Sequence, residues 1–150
     1  EVMASLDYVE ACAHEAMRLK PVAPFLPMEA LRDTVVAGVA VPAGTMIWNV
    51  LRHDSVSDRW VEHGREFRPE RWLDPARSPK GVAMPFGSGP RVCPGRYLAL
   101  LEIKLAMAML LSSFRIESVD TPDGHPAREL MAFTMGPAGL TMTLRPHPVS

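Results

Sequence analysis

The sequence has little cysteine, almost no net charge and no long apolar run, and each shortage excludes a class of protein. Two cysteines in 150 residues cannot form a disulfide scaffold. A formal net charge of −1 gives no electrostatic reason to expect nucleic acid as a partner. No apolar run reaches the roughly 20 residues that a bilayer-spanning helix needs. What remains, at 47% hydrophobic residues, is the composition of one globular domain.

Two familiar enzyme motifs are begun in the sequence and not completed. His14 and Glu15 open like the zinc motif H-E-x-x-H, but Arg18 stands where the second histidine would be. Gly87 opens a G-x-G pair, but Val92 occupies the place of the third glycine in the dinucleotide fingerprint. The sequence therefore indicates neither a zinc protease nor a dinucleotide-binding fold.

Proline is abundant, with 15 residues, about twice the average usage of ~5%. Its concentration between residues 67 and 90 predicts an ordered, irregular segment between two helices, because proline removes backbone donors from helices and sheets. The pattern predicts helices at about 6–19 and 96–113, strands at 34–36, 39–41, 45–51, 114–116 and 140–144, and a helical turn near 57–61. The predicted class is mainly α with small β sheets. The second helix is apolar on nearly all sides and is predicted to be buried.

Glu15 falls on the apolar side of the first helix, away from the polar face that includes His14. An unpaired carboxylate there would be costly to bury, and Arg18 lies one turn away. One interpretation is a buried ion pair completed by Arg71 of the proline-rich segment. The alternative is an ordinary surface pair worth about 0.2–0.5 kcal/mol.

Cys93 is the strongest candidate for chemistry, because it lies in the loop 86–95 directly before the second helix. Unpaired backbone N–H groups and the positive dipole end of a helix favour a thiolate at its N-terminus. Arg91 adds a permanent cation suited to a carboxylate. The glycines that remove side-chain bulk around the sulfur are Gly87, Gly89 and Gly95. The alternative is a buried, inert cysteine, which is our interpretation of Cys12.

Three motifs in this order along the chain resemble a known family. Residues 15–18 (EAMR) are similar to an E-x-x-R helix, and residues 69–72 (PERW) to a P-E-R-F segment. Residues 86–95 match F-x-x-G-x-R-x-C-x-G at all five fixed positions, which chance would produce on the order of once in tens of thousands of such chains. Together they resemble the cytochrome P450 haem-thiolate monooxygenases. The resemblance implies that residues 1–150 form the C-terminal haem-binding portion of one such domain, without its N-terminal part.

The resemblance also implies a cofactor, haem b, and a role for each motif residue. Cys93 would be the proximal thiolate ligand of the iron, pushing electron density toward O–O cleavage. Arg91 would pair with a haem propionate, Phe86 would pack beside the sulfur, and the loop glycines would let cofactor and backbone approach. The residues implied to form a buried structural charge triad are Glu15, Arg18 and Arg71. The residues implied to line an apolar substrate pocket are Val22, Ala23, Pro24, Phe25 and Phe133.

The implied reaction inserts one oxygen atom from O₂ into a small apolar organic substrate, with electrons from a redox partner, either a reductase or a ferredoxin. The oxygen-activating helix and any membrane anchor would precede residue 1, so the 150-residue chain is expected not to turn over alone. A bacterial protein of this kind would be cytoplasmic. Met28 stands where many members carry an arginine for the second propionate, and Arg32 and Arg52 are the candidate substitutes.

Three other functions stay open on the sequence. One is a non-catalytic haem-binding module that kept the thiolate. Another is a haem-thiolate isomerase or dehydratase, which needs no electron donor. The third, a haem-free thiol enzyme, requires a base near Cys93, and no histidine lies near it in the sequence.

Overall fold

A computed structural model describes residues 6–132 and 134–148 of the chain. The helices are α1 (Asp7–Leu19), α2 (Leu51–Ser55) and α3 (Arg96–Ser113), with short 3-10 helices at Pro69–Trp72 and Gly89–Arg91. The strands are β1 (Phe25–Glu29), β2 (Thr34–Val36), β3 (Val39–Val41), β4 (Met46–Val50), β5 (Phe114–Asp120), β6 (Arg128–Met131), β7 (Met135–Ala138) and β8 (Thr141–Pro146). The predicted α+β class is confirmed. Within the described ranges, no helix combines the length and the apolar character needed to cross a membrane.

The described strands pair into four small antiparallel sheets of two strands each, β1–β4, β2–β3, β5–β8 and β6–β7. In the first, Phe25 lies opposite Val50, so that the start of β1 faces the end of β4. The chain then enters α2, where the N–H of Leu51 donates to the carbonyl of Pro24 at 3.0 Å. The β1–β4 ladder and this bond therefore fix the backbone of Pro24 and Phe25 beside α2.

The two predicted helices are present, and the five predicted strands correspond to β2, β3, β4, β5 and β8, whereas β1 and the β6–β7 hairpin were not predicted. Each missed sheet contains a proline inside a strand, Pro27 in β1 and Pro137 in β7, and proline argues against strand in a sequence. Near residues 57–61 the chain forms a hydrogen-bonded turn, with the N–H of Val61 donating to Ser57 at 3.0 Å. A short helix that was not predicted, α2, lies earlier and begins at Leu51, the last residue of the predicted strand 45–51.

Helix α3 has the predicted bounds, but no residue in it is buried. Leu98 is 59% exposed and Met109 is 68% exposed. Within the described residues α3 packs chiefly against α1 and β5, and Lys104 of α3 forms an ion pair with Glu10 of α1. The prediction of burial within this chain was wrong because these neighbours cover only part of a helix that is apolar on nearly all sides.

The buried interior is small, and its largest side chains are charged. The two largest fully buried side chains are Arg18 and Glu15, whose residues are 1% and 0% exposed. The buried apolar residues of the described chain are few and mostly small: Ala11, Ala30, Leu51, Val61 and Ala83. A buried ion pair thus occupies the position that an apolar cluster holds in most domains.

Candidate functional site

The loop 86–95 is closed by its own backbone and presents Cys93 to solvent. The N–H of Cys93 donates to the carbonyl of Phe86 at 2.8 Å, and the N–H of Val92 donates to that of Gly89 at 3.1 Å. Gly87 and Gly89 have φ values of +70° and +67°, in the left-handed region that favours glycine. These two turns fold the loop back on itself and leave the thiol accessible.

Helix α3 begins just after the cysteine, with Gly95 as its N-cap. A Cβ atom added at Gly95 would lie 3.9 Å from the Cys93 Sγ, so glycine keeps that side of the sulfur open. Arg91 is exposed, and no described carboxylate lies within ion-pair distance of it. The part of the chain that the structure describes contains no group of three His, Cys, Asp or Glu side chains able to hold a metal ion. One accessible thiol, two residues along the chain from an exposed arginine, fits a haem, whose macrocycle supplies the other iron ligands.

The carboxylate of Glu15 accepts hydrogen bonds from four residues and is fully buried. Arg18 donates to both oxygens, Nε to Oε2 and Nη2 to Oε1, each at 2.8 Å. Arg71 Nε reaches Oε1 at 3.0 Å, and Trp72 Nε1 reaches Oε2 at 2.8 Å. The backbone N–H of Arg68 donates to Oε1 at 2.9 Å. The structure thus brings together the three side chains of the predicted triad and adds two donors that sequence reasoning missed.

Arg18 also holds three backbone carbonyls that no sequence pattern indicates. Its Nη1 donates to the carbonyls of Ser55 at 2.5 Å and Gly64 at 2.6 Å, and its Nη2 to that of Glu66 at 3.0 Å. Carbonyl acceptors are present at every residue, so only the fold identifies them. The guanidinium thereby joins α1, α2 and the segment 64–66 at one point.

The surroundings of Glu15 keep it ionised. Burial by itself raises the pKa of this carboxyl, but the hydrogen bonds from Arg18, from the Arg68 N–H and from Trp72 outweigh it and lower the pKa to about 2. The group therefore carries its charge throughout the neutral range and has no proton to exchange there. Its geometry is that of a structural anchor.

His14 connects this charge cluster with the cysteine loop. Its ring stacks on that of Trp72, with centroids 4.8 Å apart, and meets the ring of Phe86 edge-on at 6.4 Å. Burial lowers its pKa, which favours the neutral imidazole. The half-buried Phe86 thus packs toward α1 through His14 while its carbonyl holds the N–H of Cys93.

The two segments assigned to a substrate pocket lie side by side. The carbonyl of Val22 accepts the N–H of Met135, the first residue of β7, at 2.7 Å. Phe25 meets Trp48 edge-on, with ring centroids 6.0 Å apart, and Val22 is 50% exposed. Ala23 and Pro24 are half-buried between them. Phe133 lies outside the described residues.

The structure also describes Met28, at which the resemblance implies a propionate-binding arginine in many family members. Met28 lies in β1 and is half exposed. Of its two candidate substitutes, Arg52 donates from Nη1 to Glu129 Oε2 at 2.5 Å, whereas Arg32 is exposed. Arg52 is therefore already engaged by a carboxylate.

Comparison with known proteins matches residues 1–144 to the family model described as Cytochrome P450. The chain is 38% identical over 121 residues to the cytochrome P450 monooxygenase LUC2 of a Fusarium species, covering 80% of this chain and 24% of that protein. It is 32% identical to a cytokinin hydroxylase of Arabidopsis thaliana, covering 97% of this chain and 28% of that protein.

Among solved structures, the crystal structure of a cytochrome P450 (CYP102L1) superposes with a TM-score of 0.85 at 31% identity, covering 97% of this chain and 33% of that one. The chain spans about a quarter of the length of the curated relatives it matches. The family model accounts for nearly the whole chain, and the solved structure shares both its fold and almost a third of its residues. The chain therefore belongs to the cytochrome P450 family.

Proposed function

We propose that this chain is the haem-ligating, C-terminal part of a monooxygenase that inserts one oxygen atom from O₂ into an organic substrate. The observation that carries the proposal is the accessible Cys93 thiol on the closed loop in front of α3. Family membership supports an oxidoreductase of the haem-thiolate type. The reaction of the whole protein is our inference, since the chain spans only part of its relatives.

In this function the residues of the chain bind and orient the cofactor. Cys93 would donate its sulfur to the iron of haem b, and Arg91 would hold a propionate. Gly87, Gly89 and Gly95 would keep the loop thin where the macrocycle lies. When bound, the haem supplies the chemistry of O₂ activation, and the protein supplies position and electrostatics. The Glu15 cluster would hold the loop in place through Trp72 and His14.

The substrate would be small and apolar, and the electrons would come from a redox partner, a reductase or a ferredoxin. The apolar character of the pocket segments supports an apolar substrate. Val22 is 50% exposed and Met131 is 64% exposed, and both lie near the hydrogen bond between Val22 and Met135. Relatives with hydroxylase names, such as the cytokinin hydroxylase, support the reaction type.

The test is a reduced, CO-bound difference spectrum of the full-length protein that contains this chain. We expect a strongly red-shifted Soret band, its loss in Cys93→Ser, and its retention in the matched control Cys12→Ser. Cys12 is a fair control because it is half-buried in α1, where burial raises the pKa of its thiol. A band that survives Cys93→Ser, or a wild type without one, would contradict the proposal. Turnover that requires an electron donor, rather than a peroxide alone, separates the monooxygenase from an isomerase or dehydratase.

A further inference from the structure

Glu129 of β6 links three parts of the chain that are distant in sequence. Its Oε1 accepts a hydrogen bond from Lys20, which directly follows α1, and its Oε2 accepts one from Arg52 of α2 at 2.5 Å. The Glu129 side chain is 25% exposed, less than either of its partners. The hydrogen bonds from Lys20 and Arg52 lower the pKa of this carboxyl, so both ion pairs persist at neutral pH.

The hairpin that carries Glu129 needs such a link. Strands β6 and β7 pair only with each other in the described residues, and an isolated two-stranded hairpin is marginally stable. Glu129 lies opposite Pro137, which has no N–H to donate, so the ladder is weakened at that rung. Besides the Glu129 ion pairs, the polar attachment of the hairpin to the rest of the described chain is the bond from the Met135 N–H to the Val22 carbonyl.

The two attachments lie on either side of the hairpin tip. Glu129 holds the β6 side against α1 and α2, and Met135 holds the β7 side against the segment 22–25. Between them the apolar side chains of Leu130 and Met131 are 63% and 64% exposed. The position of these side chains beside residues 22–25 therefore depends on how firmly the two attachments hold the hairpin.

We propose that Glu129 is a positioning residue for substrate binding: its carboxylate, clamped between Lys20 and Arg52, fixes the β6–β7 hairpin as one wall of the apolar pocket. This inference rests on the proposed function, because the pocket is a substrate site only in a haem enzyme. It assigns no chemical step to Glu129. It predicts that loosening the clamp changes which ligands fit and leaves ligation of the iron unchanged.

The experiment compares two probes on the full-length haem protein and its Glu129→Gln variant. Imidazole reaches the iron without filling the pocket, whereas 4-phenylimidazole also requires a shaped apolar wall. We expect Glu129→Gln to raise the Kd of 4-phenylimidazole about three- to tenfold, in line with the loss of two partly exposed ion pairs. The Kd of imidazole should stay within about twofold of the wild-type value. Both values come from titration of the Soret band.

The matched control is Glu117→Gln, because Glu117 forms a comparable ion pair with Arg145 at 2.5 Å on the other C-terminal sheet, β5–β8. It should leave both probes unchanged. In a variant that already carries Lys20→Gln and Arg52→Gln, adding Glu129→Gln should cause no further loss, since its partners are gone. Equal weakening of both probes, an equal effect of Glu117→Gln, or a further loss in the triple variant would overturn the proposal.

A second measurement does not depend on the cofactor. Hydrogen exchange at the amide of Met135 reports its bond to Val22, and we expect faster exchange in Glu129→Gln than in wild type or Glu117→Gln. Unchanged exchange would overturn the clamp itself. If wild type shows no Soret shift with either probe, the proposed function fails. The hydrogen-exchange rate of the Met135 amide still tests whether Glu129 holds the hairpin.

Discussion

At the scale of single residues, Glu15 shows why a buried charge is kept in this fold. A buried ion pair often gains little over apolar packing, because desolvation offsets the attraction, but removing one partner leaves an uncompensated charge. Glu15 is bound by two guanidinium groups, an indole N–H and a backbone N–H. Arg18 in turn donates to three backbone carbonyls. The cluster is thus a fully connected network that joins four segments of chain.

Glu15→Gln is therefore expected to destabilise the protein by roughly 3–5 kcal/mol, because it leaves the Arg18 charge buried without its carboxylate. The free energy of unfolding in urea, measured on the full-length protein, checks this value. Glu62→Gln is the control, since the Glu62 side chain is 85% exposed. A loss below about 1 kcal/mol would show that the network is replaceable.

The same carboxyl predicts how stability depends on pH. Its folded pKa of about 2 lies below the ordinary value of 4.5, so its contribution is fully present above 4.5 and is lost as pH falls toward 2. The pKa difference corresponds to roughly 3 kcal/mol. We expect the stability gap between wild type and Glu15→Gln to be constant from pH 7 to pH 5 and to shrink between pH 4.5 and pH 3. A gap that is independent of pH would contradict this assignment.

Gly64 is predicted to be intolerant of a side chain for a reason that is steric. A Cβ atom there would lie 2.7 Å from the carbonyl oxygen of Val56, and the Gly64 carbonyl is bound by Arg18 at 2.6 Å. Gly64→Ala should destabilise the protein by about 1–3 kcal/mol through backbone displacement. Gly81→Ala, where a Cβ meets nothing within 4 Å, should change thermal unfolding little. Equal melting temperatures for the two variants would refute the steric argument.

At the scale of elements, the sequence predicted those helices and strands whose signals lie within their own residues. Helix-forming residues that end before Pro21 predicted α1, the apolar segment directly after the cysteine loop predicted α3, and Gly38 separated β2 from β3. Strand β1 and the β6–β7 hairpin were missed because their pairing partners, rather than their own residues, make them strands.

The same limit applies to the candidate site. Sequence reasoning proposed Arg71 as a partner of Glu15 across 56 positions, because a charge on an apolar face requires a counter-charge. It did not find Trp72 or the three carbonyls held by Arg18, because an indole and a peptide group carry no such requirement. Electrostatic need can be inferred from a sequence, whereas hydrogen bonds to neutral groups follow only from the fold.

Trp72 joins the 3-10 helix Pro69–Trp72 to α1, and it can be tested without removing an aromatic ring. Trp72→Phe keeps a ring on His14 but deletes the Nε1–H that Glu15 accepts at 2.8 Å. We expect a loss of about 1–3 kcal/mol, the cost of a missing bond to a buried charged group. Trp60→Phe is the control, since Trp60 is 54% exposed. Urea unfolding that does not distinguish the two variants would contradict a structural role for the indole N–H.

At the scale of the whole molecule, the charge cluster is buried while many large apolar side chains are exposed. The buried apolar residues are mostly small, and large ones on α3 remain exposed within this chain. Four of these, Leu98, Leu101, Leu105 and Met109, recur every three or four residues and so share one side of the helix. Contiguous apolar surface of this kind promotes association.

We therefore expect that charged residues on this side of α3 benefit the 150-residue chain alone and destabilise the full-length protein. In the 150-residue chain alone, Leu98→Glu with Met109→Glu should reduce aggregation, because both side chains, at 59% and 68% exposure, meet solvent. In the full-length protein the same pair should cost more than about 3 kcal/mol if further elements cover the helix, since two carboxylates would then be buried.

Light scattering of the 150-residue chain and urea unfolding of the full-length protein give the two readings. Leu31→Glu is the control for both, because Leu31 is 93% exposed and lies in the loop after β1. Stability of the full-length protein that survives the double substitution would show that α3 is solvent-exposed there too. The fold would then depend on the Glu15 cluster still more heavily, because the helix behind the cysteine loop would contribute no apolar burial on that side.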